Sequence, residues 1–183
     1  ETTDMRNARD GGGGAGTETA AIAMSGSSPG QITASEEWTG AGAPVGAWAT
    51  GGNVNTARKT PQTSGAGTYT AALLTGGSLP GVTGKTELYD GSSWTEVNDL
   101  NQARYIGAGL GTYTAAICAG GYQDSASTNF NNVEQWDGTN WTEIAEINTA
   151  RRNLPSRTAG TTTATTTVTA GATAMVGAPA TPA

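Results

Sequence analysis

The chain has 183 residues, of which 36% are hydrophobic types and 13% charged, with no histidine and a formal charge of −6. That length suits one ordinary domain, and nine basic residues scattered through an acidic chain leave no basic stripe for a nucleic-acid backbone. Leu, Ile, Val and Phe make only 21 residues, a level typical of disorder, but the modest charge and the recurrence of five Trp and five Tyr at matching positions argue against a solvated coil.

In chain order, an Asn- and Arg-containing motif marks four units: "NARD" at Asn7, "NTARK" at Asn55, "NQARY" at Asn101 and "NTARR" at Asn148. Their arginines, Arg9, Arg58, Arg104 and Arg151, lie 49, 46 and 47 residues apart. A period of about 47 residues fits a four-stranded propeller blade better than shorter leucine-rich or ankyrin units. The expected fold is therefore all-β, a propeller segment with blades at 7–54 (divergent), 55–100 and 101–147, and a partial, Thr/Ala/Gly-rich unit at 148–183.

The divergent unit replaces the later double glycine with Ser25-Gly26. It also sets Trp38 and Trp48 ten residues apart, where later units space their aromatics by five, so its last hairpin is expected to carry about five extra residues. In the next two units a small-residue run ("TSGAG", "YIGAG") is expected to form an innermost strand. A Gly-Thr turn then leads into "TAALLTGG" or "TAAICAGG". Gly76-Gly77 and Gly120-Gly121 close that second strand, where packing on both faces would admit only small residues. A variable loop follows. The third strand is "TELYD" or "NVEQWD", ended by the hairpin signals Asp90-Gly91 and Asp137-Gly138, and the fourth is "SWTEV" or "NWTEI". Trp94 and Val97, like Trp141 and Ile144, are three apart and would fall on opposite faces, so a bulge or strand end is expected there. The last unit, "AGTTTATTTVTAGATAMVG", reads as a degenerate half-blade or a poorly determined stretch of sequence.

These residues resemble the kelch repeat family: the double glycine, the aromatic of strand three (Tyr89, Trp136), the Trp of strand four (Trp94, Trp141) and the arginine leading into the next blade. The likeness covers Asn55 to Arg151. The phrasing "SWTEV…LN.AR…AG.GT.TAA…GG" is similar to kelch-like repeats of marine phages, cyanophages in particular. That resemblance implies an external virion component, a tail fibre, appendage or decoration that mediates assembly or host-surface attachment. The alternatives are a secreted or cell-surface bacterial adhesin and an intracellular protein-interaction scaffold. Propellers close with four to eight blades, so missing blades are expected from more of the same chain or from another copy. The opening Glu1 reads as a processed protein or an excerpt.

Catalysis is not expected. Without histidine the chain lacks the commonest general base and metal ligand, any Ser-His-Asp or Cys-His arrangement, and the ligands of the galactose oxidase copper site that some kelch proteins resemble. The adjacent carboxylates Glu36 and Glu37 would point to opposite faces of a strand, and no Gly-rich run ends in Gly-Lys-Ser/Thr. No metal or cofactor is expected, and no apolar run or leader predicts membrane insertion or a signal peptide. Cys118, the sole cysteine, reads as a small buried hydrophobe. Arg58, Arg104, Arg151, Gly76, Gly77, Gly120, Gly121, Trp94, Trp136 and Trp141 read as repeat scaffold, with the arginines pairing to glutamates of strand three (Glu87, Glu134) or strand four (Glu96, Glu143). Binding is expected where units differ, in the loop bearing Tyr122, Gln123, Asp124, Asn129 and Phe130, facing other copies, other virion subunits, or a host-surface glycan or protein.

Overall fold

A computed structural model describes residues 4–40, 47–61, 66–78 and 80–154. They form an all-β structure. Its strands are β1 (Gly13–Gly16), β2 (Ala20–Met24), β3 (Ser35–Thr39), β4 (Ala47–Thr50), β5 (Gly67–Thr68), β6 (Ala71–Thr75) and β7 (Thr86–Tyr89). They continue as β8 (Trp94–Val97), β9 (Ala108–Gly111), β10 (Ala116–Ala119), β11 (Tyr122–Gln123), β12 (Thr128–Asn129), β13 (Val133–Trp136) and β14 (Trp141–Glu143). Three antiparallel sheets follow one plan, β1-β2-β3-β4, β5-β6-β7-β8 and β9-β10-β13-β14, and β11–β12 is a two-stranded hairpin inserted in the third. The unit expected at 148–183 lies outside the described residues from Pro155 onward.

The sheets pack face against face, and the sequence of β6 shows why. Its Leu73 and Leu74 are both fully buried although they point to opposite faces. Leu74 joins Ile22 and Met24 of the first sheet, whereas Leu73 joins Ala116, Cys118, Trp136 and Trp141 of the third. A strand covered on both sides has no reason to alternate polar and apolar residues. The same arrangement removes the expected bulge at Trp94: β7 and β8 pair without interruption from Tyr89↔Trp94 to Thr86↔Val97. Trp94 enters the first cluster and Val97 packs against the second. In the third sheet β14 ends at Glu143 and Ile144 is exposed, so there the strand-end expectation describes the chain.

Aromatic residues pair across strands three and four in all three sheets. Trp38–Trp48, Tyr89–Trp94 and Trp136–Trp141 have ring centroids 5.6, 5.0 and 5.4 Å apart. Trp38 faces Trp48 in register, so the extra residues of the first unit sit between Thr39 and Ala47; of these, 41–46 lie outside the described residues.

Two glycine positions carry backbone requirements. Gly67 of β5 and Gly111 at the end of β9 have φ of +103° and +125°, and a Cβ there would run into the carbonyl oxygen of Ala71 or Ala115. The hairpin turn itself falls on the next pair, Tyr69-Thr70 in the second sheet, and not on Gly-Thr. The double glycines answer both to crowding, since a Cβ at Gly77 or Gly120 would come within 2.9 or 2.6 Å of the carbonyl oxygen of Lys59 or Arg151, and to left-handed backbone. Gly76 and Gly120 have φ near +60°, as does Ser25 at +58° in the first unit. Ser25 compensates for its strained backbone with a hydroxyl that donates to the carbonyl of Arg58. The second member of each pair binds the next unit: the amides of Gly26, Gly77 and Gly121 donate to the carbonyls of Arg58, Arg104 and Arg151 at 2.9, 3.0 and 2.9 Å.

Candidate functional site

The repeated tetrad builds a cage around one carboxylate. In the second unit the amide and side-chain nitrogen of Asn55 donate to Glu87 at 2.6 and 3.0 Å, the amide of Thr56 donates at 3.2 Å, and Arg58 completes the set with a charged hydrogen bond. Asn101, Gln102 and Arg104 repeat this around Glu134. Arg58, Arg104, Glu87 and Glu134 are fully buried. An ion pair at that depth needs every lone pair and proton answered, which the cage nearly achieves; the Arg104 Nε remains without a partner. Burial pulls the Arg58 pKa below its ordinary value, against the opposing pull of Glu87.

The arginines thus pair with strand three, and Glu96 of strand four instead meets Lys85 at the surface. In the first unit the frame is shifted by one. Arg6, and not Asn7, stands where Asn55 stands, its amide donating to Glu36 at 2.7 Å and that of Asn7 at 3.1 Å, while Arg9 pairs at 2.6 Å. Burial works against the Glu36 charge, but these donors outweigh it and hold the carboxyl below its usual range.

Two residues after each arginine the backbone turns left-handed again, at Gly11, Thr60, Ile106 and Asn153, with φ of 59°, 47°, 50° and 56°. For β-branched Thr60 and Ile106 this is a costly conformation. These residues and their successors, Gly12, Pro61, Gly107 and Leu154, line one cleft of about 350 Å³. Thr60 donates its amide to Gly11 O at 2.5 Å and Asn153 to Ile106 O at 2.7 Å, while the Thr60 hydroxyl is buried without a partner. Among the described residues that line it, none is titratable.

The variable loop is built differently. Tyr122 and Gln123 pair with Asn129 and Thr128 as β11 and β12, and Ser127 closes the turn with its amide to Asp124 O at 3.0 Å. In the first two units the equivalent bridges, Ser27↔Gln31 and Ser78↔Val82, enclose shorter turns. Tyr105 anchors the hairpin: its backbone bridges Tyr122, its ring meets that of Tyr122 edge-on at 5.9 Å, and its hydroxyl donates to Asp124 at 2.5 Å. That hydrogen bond, with some burial, pushes the Tyr105 pKa up to about 12. The guanidinium of Arg152 lies 4.1 Å from the Tyr122 ring centroid. Asp124 and Asn129 are exposed, and Tyr122 and Gln123 half-buried. Phe130 departs from the expectation: it is buried, with the Arg104 guanidinium 5.8 Å from its ring centroid, and it covers the cage instead of facing a partner.

No protein-family model matches the chain. No curated protein matches it either.

Tyr105 and Arg152 thus join the loop as residues that the sequence reading missed. The signal was present. Both occupy the place just after the tetrad, where Asp10, Lys59, Tyr105 and Arg152 follow their arginines, and in three units that place bridges to the loop. Cys118 is fully buried in the cluster with Leu73 and Trp136, and burial pushes its thiol pKa far up.

Proposed function

We propose that the chain is a non-catalytic binding and structural module, part of a kelch-like propeller, working as an external component of a marine phage particle in assembly or host-surface attachment. One observation carries the architectural part: segments from four successive units, at the same repeat position, border a single cleft. Sheets stacked in a straight line, roughly 10 Å apart, would separate the first and fourth segments by about 30 Å. Convergence favours rotation about an axis, with the cleft on it. The virion setting rests on the phrasing of the repeat, and the lack of histidine in the sequence favours binding over chemistry, as does the lack of titratable groups among the described residues of the cleft.

The binding face is the β11–β12 hairpin with Tyr105 and Arg152, which offers a carboxylate, amides and an aromatic edge on a rigid support. Density of the native assembly tests the architecture, because a straight stack of sheets there would overturn it. Replacing residues 122–131 by the shorter loop of the second unit tests the role. Attachment or assembly of particles should fall while the melting temperature holds, and full attachment with full assembly would remove this loop from the reading.

A further inference from the structure

The fourth tetrad, Asn148 to Arg151, repeats the cage without its carboxylate. Its backbone carries the bond that recurs in the other units, Gly121 donating to Arg151 O at 2.9 Å, and is fixed further by Arg151 N, which donates to Phe130 O at 3.1 Å. Its side chain is set as well, since Arg151 Nε donates to Thr149 O at 3.2 Å, the same bond and length that orient Arg58 toward Thr56 O. Among the described residues, however, the amides of Asn148 and Thr149, the Asn148 side chain and the terminal guanidinium nitrogens of Arg151 have no hydrogen-bond partner. Residues 148 to 153 are all exposed, whereas Arg58 and Arg104 are fully buried.

The sequence explains the empty place. Glutamate follows the tetrad arginine by 27, 29 and 30 residues in the three complete cages, so the fourth would fall at 178–181, where the chain reads Ala-Pro-Ala-Thr. No Asp or Glu occurs anywhere after Glu146.

We propose that Asn148, Thr149 and Arg151 form a prearranged receptor for a glutamate carboxylate on an extended strand that residues 1–183 do not supply. The three filled cages define the ligand: glutamate second in a short strand and an aromatic residue two places on, as in Ser35-Glu36-Glu37-Trp38, Thr86-Glu87-Leu88-Tyr89 and Val133-Glu134-Gln135-Trp136. The charges agree, with Arg151 and Arg152 adjacent on a chain of net −6. The occupant is a strand of this form from outside residues 1–183 and not a second copy of them, because every strand of this form in a second copy has its glutamate caged at zero exposure. The site names the partner chemistry of the assembly module proposed above and rests on that reading for its biological setting, while the receptor itself rests on the cage geometry.

The experiment titrates the full chain with a synthetic peptide of residues 132–144, which carries the β13–β14 hairpin, followed by calorimetry and by amide shifts of Asn148 and Thr149. Saturable binding is expected, weakened at least tenfold by Glu134→Gln in the peptide and by Arg151→Ala in the protein, with the Arg151→Ala melting temperature unchanged. Equal binding of the glutamine peptide, or no shift of either amide at millimolar peptide, overturns the proposal. Self-association of the chain that Arg151→Ala abolishes, seen by sedimentation, overturns the choice of a foreign strand in favour of a second copy. None of these outcomes depends on particle attachment, so the receptor can fail while the module reading stands.

Discussion

The joint between the first and second sheets and the joint between the second and third share one plan, yet they treat equivalent indoles differently. Trp141 donates its Nε1 to Thr86 Oγ1 at 3.0 Å, and that hydroxyl lies 2.6 Å from Thr75 Oγ1, so in the second joint the buried indole and both hydroxyls are answered. Trp94 occupies the same place in the first joint. There Ser35 stands where Thr86 does, its hydroxyl is turned to the carbonyl of Gly52, and Trp94 Nε1 is buried without a partner. The first joint has a bond of its own, from the Tyr89 hydroxyl to Glu37, where the second has Leu88 in the place of Glu37. The repeat fixes shape at each position, and polar partners are settled joint by joint.

The largest effect should come from what both joints share. Arg104→Ala leaves Glu134 buried without its cation, and calorimetric melting should show a loss of about 3–5 kcal/mol; a loss under about 1 kcal/mol would mean that the cage survives on its amide donors. Next come the two leucines of β6, which separate the joints cleanly. Leu73→Ala should loosen the second joint and Leu74→Ala the first, each by about 2–4 kcal/mol, and hydrogen exchange should report increased opening on one side only in each variant. An increase on both sides would show that the joints melt as one.

A smaller difference separates the indoles. Trp141→Phe loses packing and also orphans the Thr86 hydroxyl, whereas Trp94→Phe loses packing and removes an N–H that had no partner. Denaturant unfolding should make Trp141→Phe the more harmful by roughly 1 kcal/mol, and equal losses would erase the distinction drawn here.

The smallest effect is alkaline. Burial first, and then the bond to Glu37, push the Tyr89 pKa up to about 12 from an ordinary 10.0. A raised pKa means that the folded state holds its proton longer than the unfolded chain. This contribution is therefore whole below pH 10 and is lost as pH rises through about 12. Tyr89→Phe should flatten the fall in stability over that window without abolishing it, since Tyr105 titrates in the same range. An unchanged slope would remove Tyr89 from the alkaline response.

Much of this order was written in the letters. The four-strand cadence, the pairing of Trp38 with Trp48 across a longer hairpin and the link from arginine to a glutamate of strand three follow from residues that recur at fixed distances. What stayed hidden depends on geometry that letters do not encode. Whether Ser25 could do the work of a glycine turned on a left-handed φ and a hydroxyl reaching Arg58. The first cage begins at Arg6 because two of its donors are backbone amides, which have no sequence signature. Phe130 looked like a recognition residue because it sits in a polar loop, but its ring is needed over a buried guanidinium. Tyr105 and Arg152 were overlooked because their place after the tetrad varies in every unit, and variation there reports contact with an equally variable loop.

The backbone bond that crosses each joint, from Gly26, Gly77 or Gly121 to the arginine of the next unit, joins main chain to main chain. Side chains on either side can therefore drift without uncoupling neighbours, and each unit borrows cooperativity from the ones beside it. Unfolding under force or heat should then advance inward from an end as a moving front. The second and third units, each held by such a bond on both sides, are the last to let go.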